Sequence, residues 1–289
     1  MSETLTFVAV HAHPDDEASS TGGTYRVLKD QGVRTVLVTC TNGEFGDSLG
    51  GLKPEHDDHD PDKVASFRAG ELDKAVEILG IDRLVRLGYR DSGMKGWPQN
   101  DDPRSFWATP VDVAAKQLAE ILMHERPQVI MTYNENGFYG HPDHIQANRI
   151  TLAALELLDY EPTLYYNAIP MSIMERYRAR WAQEAEERAA AALARGEEPE
   201  ERQLPVDEDD EPFEMGTPDD RIGAAVDVSS ATDAKFDALA AHHSQIAESF
   251  WMKMGREQFK ETMTTEWFVR VRDPHGHEGV VTDLFAGYR

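Results

Sequence analysis

Along roughly the first 160 residues, short apolar β-rich runs alternate with segments patterned for helix, and nothing else in the sequence limits the fold so tightly. Leu5 to Ala12 is one such run, Thr24 to Asp30 reads as helix, and Arg34 to Cys40 is a second run, together a β-α-β unit. A helical stretch follows from about Lys63 to Leu79, then a strand near Leu84 to Tyr89, a helix from Val111 to His124 and a strand from Gln128 to Tyr133. Such alternation predicts an α/β fold with a Rossmann-like, mostly parallel sheet covered by helices. Ligands of these sheets bind at the carboxyl ends of the strands. Two His-Pro-Asp sequences follow predicted strands, so both should face one crevice.

The chain changes texture after residue 170. Met171 to Arg195 is rich in Ala, Glu and Arg, with Gly196 placed to stop a helix, and reads as a long exposed one. Residues 197–220 carry 12 acidic residues and one basic, a net of -11, which predicts a mobile acidic excursion. Order should return at Ile222 to Val228, with a helix from Thr232 to Ser249 and a final strand from Trp267 to Arg272. The expected organisation is a single domain: an α/β core over 1–170, an excursion over 171–220, and C-terminal elements over 221–289 that complete it.

Composition narrows the function classes. The 53 acidic and 29 basic residues give a net charge of -24, which opposes phosphate backbones and anionic membrane surfaces, so nucleic acid and membrane are not expected partners. No apolar run approaches the roughly 18 residues of a membrane span, and the N-terminus lacks the pattern of a signal peptide, so a cytoplasmic location is expected. A homo-oligomer is compatible with all of this. The lone Cys40 reads as a small apolar residue ending a buried strand. It cannot build a thiolate metal site, so any metal must be held by His, Asp and Glu.

In His13-Pro14-Asp15-Asp16, a proline at the first helical position would make His13 the cap and Asp16 the third helical residue. Their side chains could then converge while Asp15 points elsewhere. His141-Pro142-Asp143-His144 repeats the pattern before a helix that reaches about Leu158. A catalytic zinc takes three His or carboxylate ligands and keeps one position for water. The motifs offer more candidates than that, and the remainder could supply a base and an oxyanion donor. Spacing alone does not choose between His141 and His144 as ligand.

Val10-His11-Ala12-His13-Pro14-Asp15-Asp16-Glu17 resembles the signature of the PIG-L/LmbE-like zinc de-N-acetylases, and Tyr139-Gly140-His141-Pro142-Asp143-His144 resembles its second motif. The likeness runs from Leu5 to about Pro170 and again over Ala225 to Ile246. It implies an LmbE-like fold with the metal at the strand ends, and a zinc ion, with iron(II) as the alternative, on His13, Asp16 and His144. It implies Asp15 as general base, His141 as the group that stabilises the tetrahedral intermediate and aids protonation of the leaving group, and Tyr139 as an oxyanion or substrate contact. Looser matches at Thr41-Asn42-Gly43-Glu44, at Arg68, at Gly88-Tyr89-Arg90-Asp91-Ser92-Gly93-Met94 and at Ala241-His242-His243-Ser244-Gln245 imply substrate contacts from Glu44, Arg68, Asp91, Met94 and His242. Arg68 and Asp91 would hold sugar or inositol hydroxyls.

The activity so implied is removal of an N-acetyl group from an N-acetylglucosamine conjugate, a small-molecule substrate. Two rivals compete with it: a mycothiol S-conjugate amidase, which would share the metal motifs, and a sugar-binding protein without catalysis on the same fold. Retention of Asp15 beside Asp16 argues against the binder, which has no use for a base. The first strand is followed by His-Pro-Asp-Asp where a dinucleotide enzyme needs its glycine fingerprint, and a serine hydrolase would need a G-x-S-x-G elbow. Glu55-His56-Asp57-Asp58-His59-Asp60 reads as a solvated loop, and His275-Gly276-His277 as a turn.

Overall fold

Five strands, β1 (Thr6–His11), β2 (Arg34–Thr41), β3 (Arg83–Tyr89), β4 (Val129–Thr132) and β5 (Thr163–Ala168), run parallel in a computed structural model that describes residues 4–48, 50–195 and 216–289. Two more strands, β6 (Ala224–Asp227) and β7 (Thr265–Arg272), extend the sheet to the order β3-β2-β1-β4-β5-β7-β6. Strand β7 is antiparallel to both neighbours. The chain winds outward from β1 through β2 and β3, then returns to place β4 on the other side of β1, so the crevice of a doubly wound sheet opens between β1 and β4.

Successive side chains of a strand face opposite sides, and both faces of β1 are covered. Phe7 and Ala9 join Tyr25, Leu72 and Leu239 on one side, while Val8 and Val10 join Phe106, Leu118 and Ile150 on the other. The first face is roofed by α1 (Asp16–Asp30), α2 (Pro61–Leu79) and α7 (Thr232–Ala241), the second by α3 (Val111–Glu125) and α5 (Pro142–Leu155). In α3 the buried Ala114, Leu118 and Leu122 recur every four residues, which makes one apolar stripe.

Several elements depart from the sequence expectation. Helix α1 begins at Asp16, ahead of Thr24, and runs through Gly22 and Gly23 because packing overrides the low helix propensity of glycine. A Cβ on Gly23 would lie 2.5 Å from Val228 Cβ, so the close approach of the C-terminal region requires glycine there. Strand β5 is an addition to the expected elements: it is fully buried like β1 and β4, but its Thr-Leu-Tyr-Tyr-Asn-Ala lacks their aliphatic run. The expected helix from Thr232 to Ser249 breaks at His242 (φ -82°, ψ 48°), where α7 gives way to the short α8 (His243–Ile246). The turn α9 (Phe250–Met254) and α10 (Arg256–Thr262) then lead into β7. Helix α6 (Met171–Ala194) occupies the segment expected to be a long helix. The expectation for 197–220 lies, up to residue 215, outside the described residues. No helix among the described residues is long and apolar enough to cross a membrane.

Candidate active site

The two His-Pro-Asp sequences do not use the same device. In the second, Pro142 is the first residue of α5 and His141 its cap, with His141 Nδ1 accepting from the Asp143 N–H at 3.1 Å, as the proline predicts. In the first, Asp15 has φ 113° and helix α1 starts only at Asp16. The expectation of Pro14 as a helical residue and His13 as cap is corrected by that residue. A non-glycine residue in this region costs on the order of 1–3 kcal/mol and persists only when its surroundings over-determine it. Here they do. Arg68 Nη2 donates to Pro14 O and, at 3.1 Å, to Asp15 Oδ2, while the Asp15 N–H donates to Glu17 Oε2 at 3.0 Å.

This turn brings three candidate ligand residues together. His13 Nδ1 lies 3.2 Å from His144 Nε2 and 3.5 Å from Asp16 Oδ2, and His144 Nε2 lies 3.5 Å from Asp16 Oδ1. Two ligands at zinc distances, separated by the tetrahedral angle, stand about 3.3 Å apart. The three residues therefore form a triangle whose edges match those of a tetrahedral metal site, with Asp16 meeting each histidine through a different oxygen, and two imidazoles with one carboxylate suit a divalent ion. Burial opposes charge on Asp16, but His144 and His13 outweigh it and hold the carboxyl well below its ordinary range. Burial also pushes the His144 pKa down to about 4, with Asp16 opposing, which leaves a neutral ring able to offer a lone pair.

His13, His141 and His144 also bring one nitrogen each close together, and a second set of His13, Asp91, His141 and Asp143 does so with one nitrogen or carboxylate oxygen each. The second set is better explained as a hydrogen-bond network. Asp143 is fully buried, faces His13 Nε2 at 3.3 Å, and accepts from both the Ser92 N–H (2.9 Å) and the Ser92 hydroxyl. A carboxylate accepting from the remote nitrogen of His13 turns Nδ1 toward the triangle, the usual support of a ligating histidine. The other ring is fixed by Tyr133, which stacks on His144 with centroids 4.1 Å apart and accepts from the Ala12 N–H at 2.9 Å. Nothing in the sequence singled out Asp143, Ser92 or Tyr133 for these tasks, although Asp143 lies inside the second motif.

His141 differs from the other two rings. With Nδ1 occupied as an acceptor, a neutral His141 carries its proton on Nε2, and burial, reinforced by His13 and His144, pushes its pKa well below the ordinary value. It is thus a neutral donor beside the triangle, its ring centroid 4.5 Å from that of His13. Asp15, whose side chain is 20% exposed, keeps an open side, and burial pushes its carboxyl up to about 6 against the pull of Arg68. Tyr139 is exposed in the turn α4 (Gly137–Gly140), its ring edge-on to His144 at 4.8 Å.

The substrate contacts expected from the looser motifs fare differently. Met94 is half-buried on the loop after β3. Glu44 and Asp91 are buried and brace loops: Glu44 Oε2 accepts from the Asp91 N–H at 2.8 Å, and Asp91 accepts from Gly93 (2.8 Å) and Phe45 (3.2 Å). Arg68 is 4% exposed and spends its guanidinium on Gly43 O, Pro14 O and Asp15. His242 is a correction to a direct contact. It is fully buried, and its Nε2 faces Glu17 Oε1 at 2.6 Å, so it reaches the site only through other residues. The His56 to His59 loop lies at the surface apart from the triangle, and His275 and His277 close a turn capped by Asp273.

Comparison with known proteins bears on this arrangement. A profile described as GlcNAc-PI de-N-acetylase, PIG-L, matches residues 8–155, which include every residue of the triangle and its flanking groups. The 1D-myo-inositol 2-acetamido-2-deoxy-alpha-D-glucopyranoside deacetylase of Thermomonospora curvata is 37% identical, over 96% of this chain and 95% of its own. The chain belongs to the PIG-L family. Its relative of the same description from Acidothermus cellulolyticus is 39% identical over 96% of this chain and 93% of its own. Among solved structures, N,N'-diacetylchitobiose deacetylase from Pyrococcus horikoshii superposes with a TM-score of 0.56 at 19% identity, covering 93% of this chain and 84% of that one. The 4-carboxy-2-hydroxymuconate hydratase of Pseudomonas putida superposes as well, with a TM-score of 0.56 at 15% identity, covering 96% and 100%. A PIG-L fold therefore hosts more than one reaction, and the chemistry must be argued from the site.

Proposed function

We propose that the protein is a metal-dependent hydrolase that removes the N-acetyl group from an N-acetylglucosamine conjugate, with an inositol glycoside as the preferred substrate. The observation that carries this reading is the buried triangle of His13 Nδ1, Asp16 and His144 Nε2, with edges of 3.2 to 3.5 Å and both a carboxylate and a neutral imidazole donor at its side. Those three residues would hold the ion, zinc or iron(II). When bound, the ion supplies a water acidic enough to attack at neutral pH and polarises the amide carbonyl. Similarity to the inositol-glycoside deacetylases along nearly the whole chain supports the choice of substrate.

The chain's own groups then divide the proton work. Asp15, with its carboxyl raised toward neutrality, accepts the proton of the attacking water. His141 donates its Nε2–H to the oxygen as negative charge develops there, an interaction worth about a hundredfold or more in rate. The proton taken up by Asp15 returns to the leaving amine, with His141 aiding that transfer as the family resemblance implies, so C–N cleavage yields acetate and the free amino sugar. Tyr139, edge-on to the His144 ring at 4.8 Å, would add a second donor.

The test is to incubate the metal-loaded protein with N-acetylglucosaminyl-inositol, a mycothiol S-conjugate, chitobiose and free N-acetylglucosamine, and to quantify released amine with a fluorogenic label. The inositol glycoside should react fastest and free N-acetylglucosamine poorly, since contacts remote from the amide position it. Chelation should abolish turnover and zinc should restore it, with elemental analysis reporting one ion per chain. Release from the S-conjugate alone would replace this reading with an amidase.

A further inference from the structure

Glu17 and His242 form a hydrogen-bonded pair at 2.6 Å with both side chains fully buried. A buried carboxylate needs such a partner, because an unpaired one carries a large desolvation cost. Its other oxygen accepts from the Asp15 N–H at 3.0 Å, on the residue whose φ of 113° aims its carboxylate out of helix α1. His242 has no second polar task, for its Nδ1 meets no hydrogen-bond partner among the described residues. The ring sits at the break between α7 and α8, and the residues after it grip other parts of the site frame. Ser244 bonds Glu71 through its N–H (2.7 Å) and hydroxyl (2.6 Å), and the Gln245 amide pairs with the Asp47 N–H (3.1 Å) and carbonyl (2.7 Å). Glu71 lies one helical turn after Arg68, which holds the opposite side of Asp15.

We propose that His242 and Glu17 are positioning residues for Asp15. Acting as a two-link strut from the C-terminal region, they hold the Asp15 peptide in its left-handed conformation and so set the rate of hydrolysis without touching the substrate. This rests on Asp15 being the base. Removing the His242 ring frees Glu17 to turn away, the Asp15 N–H loses its acceptor, and the carboxylate relaxes from the line of attack. The metal triangle is built from other atoms and stays.

Four variants test it in a cycle with the metal-loaded enzyme: His242→Ala, His242→Gln, Asp15→Asn, and Asp15→Asn with His242→Ala. His242→Ala should keep one metal per chain and a KM within about threefold, while kcat falls tenfold or more. His242→Gln, whose amide can still donate to Glu17, should recover most of that loss. A residue acting through Asp15 cannot slow an enzyme that lacks the base, so the double variant should be no slower than Asp15→Asn alone. Multiplying losses in the double variant, or a change in KM with kcat intact, would overturn the proposal. If His242→Ala does not fold, His242→Gln and Glu17→Gln take its place in the cycle: each keeps a bond to its partner, and a tenfold loss of kcat in either would refute the strut. An active Asp15→Asn would instead refute the base and leave the metal assignment standing.

Discussion

Each imidazole of the site is distinguished by where one of its nitrogens points. His13 directs Nε2 to Asp143, His141 uses Nδ1 to cap α5, and His144 turns Nε2 into the triangle. His144→Ala should therefore lose its bound metal, falling from about one ion per chain to near none by elemental analysis. Asp15→Asn should keep the metal and lose at least about a hundredfold in kcat, the usual worth of a positioned base. Metal lost from the second variant and kept by the first would exchange the two roles. The motifs carried the candidates themselves: His13, Asp15, Asp16, His141 and His144 were legible because they crowd into two tetrapeptides. Which histidine faces the triangle was not, because His141 and His144 are near neighbours at one helix start and only the capping bond separates them. Arg68 and His242 were named as substrate contacts from looser motifs, and the sequence could not show that Arg68 bonds Asp15 or that His242 is buried against Glu17.

Elements hold the site as much as residues do. Helix α1 carries Asp16 and Glu17, and the glycine pair that obscured its start in the sequence lets the C-terminal region approach. There Glu266 of β7 accepts from the N–H groups of Gly23 (2.9 Å) and Thr24 (2.8 Å), and Lys235 of α7 donates to it at 2.6 Å with both side chains at most 6% exposed. Lys235→Met leaves that carboxylate buried without its cation. Breaking a buried pair on one side costs about 3–5 kcal/mol, so the midpoint of urea unfolding should drop markedly while the metal content of the folded fraction is unchanged. An unaltered midpoint would show the pair to be dispensable. The parallel strands β1 to β4 were readable from alternation because each is followed by an amphipathic helix. Strand β5 was not, since its Thr-Leu-Tyr-Tyr-Asn-Ala lacks the aliphatic run that marks the equally buried β1 and β4, and the break at His242 was invisible because Ala, His and Ser are compatible with a continuous helix.

The whole molecule carries a net charge of -24, and this field acts on whatever approaches the crevice. A neutral inositol glycoside meets no penalty, whereas a phosphorylated analogue is repelled over about 10 Å at 0.1 M salt. The KM for the phosphorylated compound should exceed that for the neutral one and fall as salt is raised from 0.01 to 0.5 M, with the neutral KM nearly constant. Equal salt responses would mean that local positive groups override the global field. Sheet order has a different consequence, one of time. The three residues of the triangle lie within the first 144 positions, in the turn and helix that follow β1 and in helix α5 beyond β4, while His242 belongs to the last quarter. A ribosome adding roughly 5–20 residues per second needs about 5–20 seconds to travel between them. During that interval the nascent chain can capture its ion before the strut on Asp15 exists, so each new molecule would hold its metal before the base is braced for full-rate turnover.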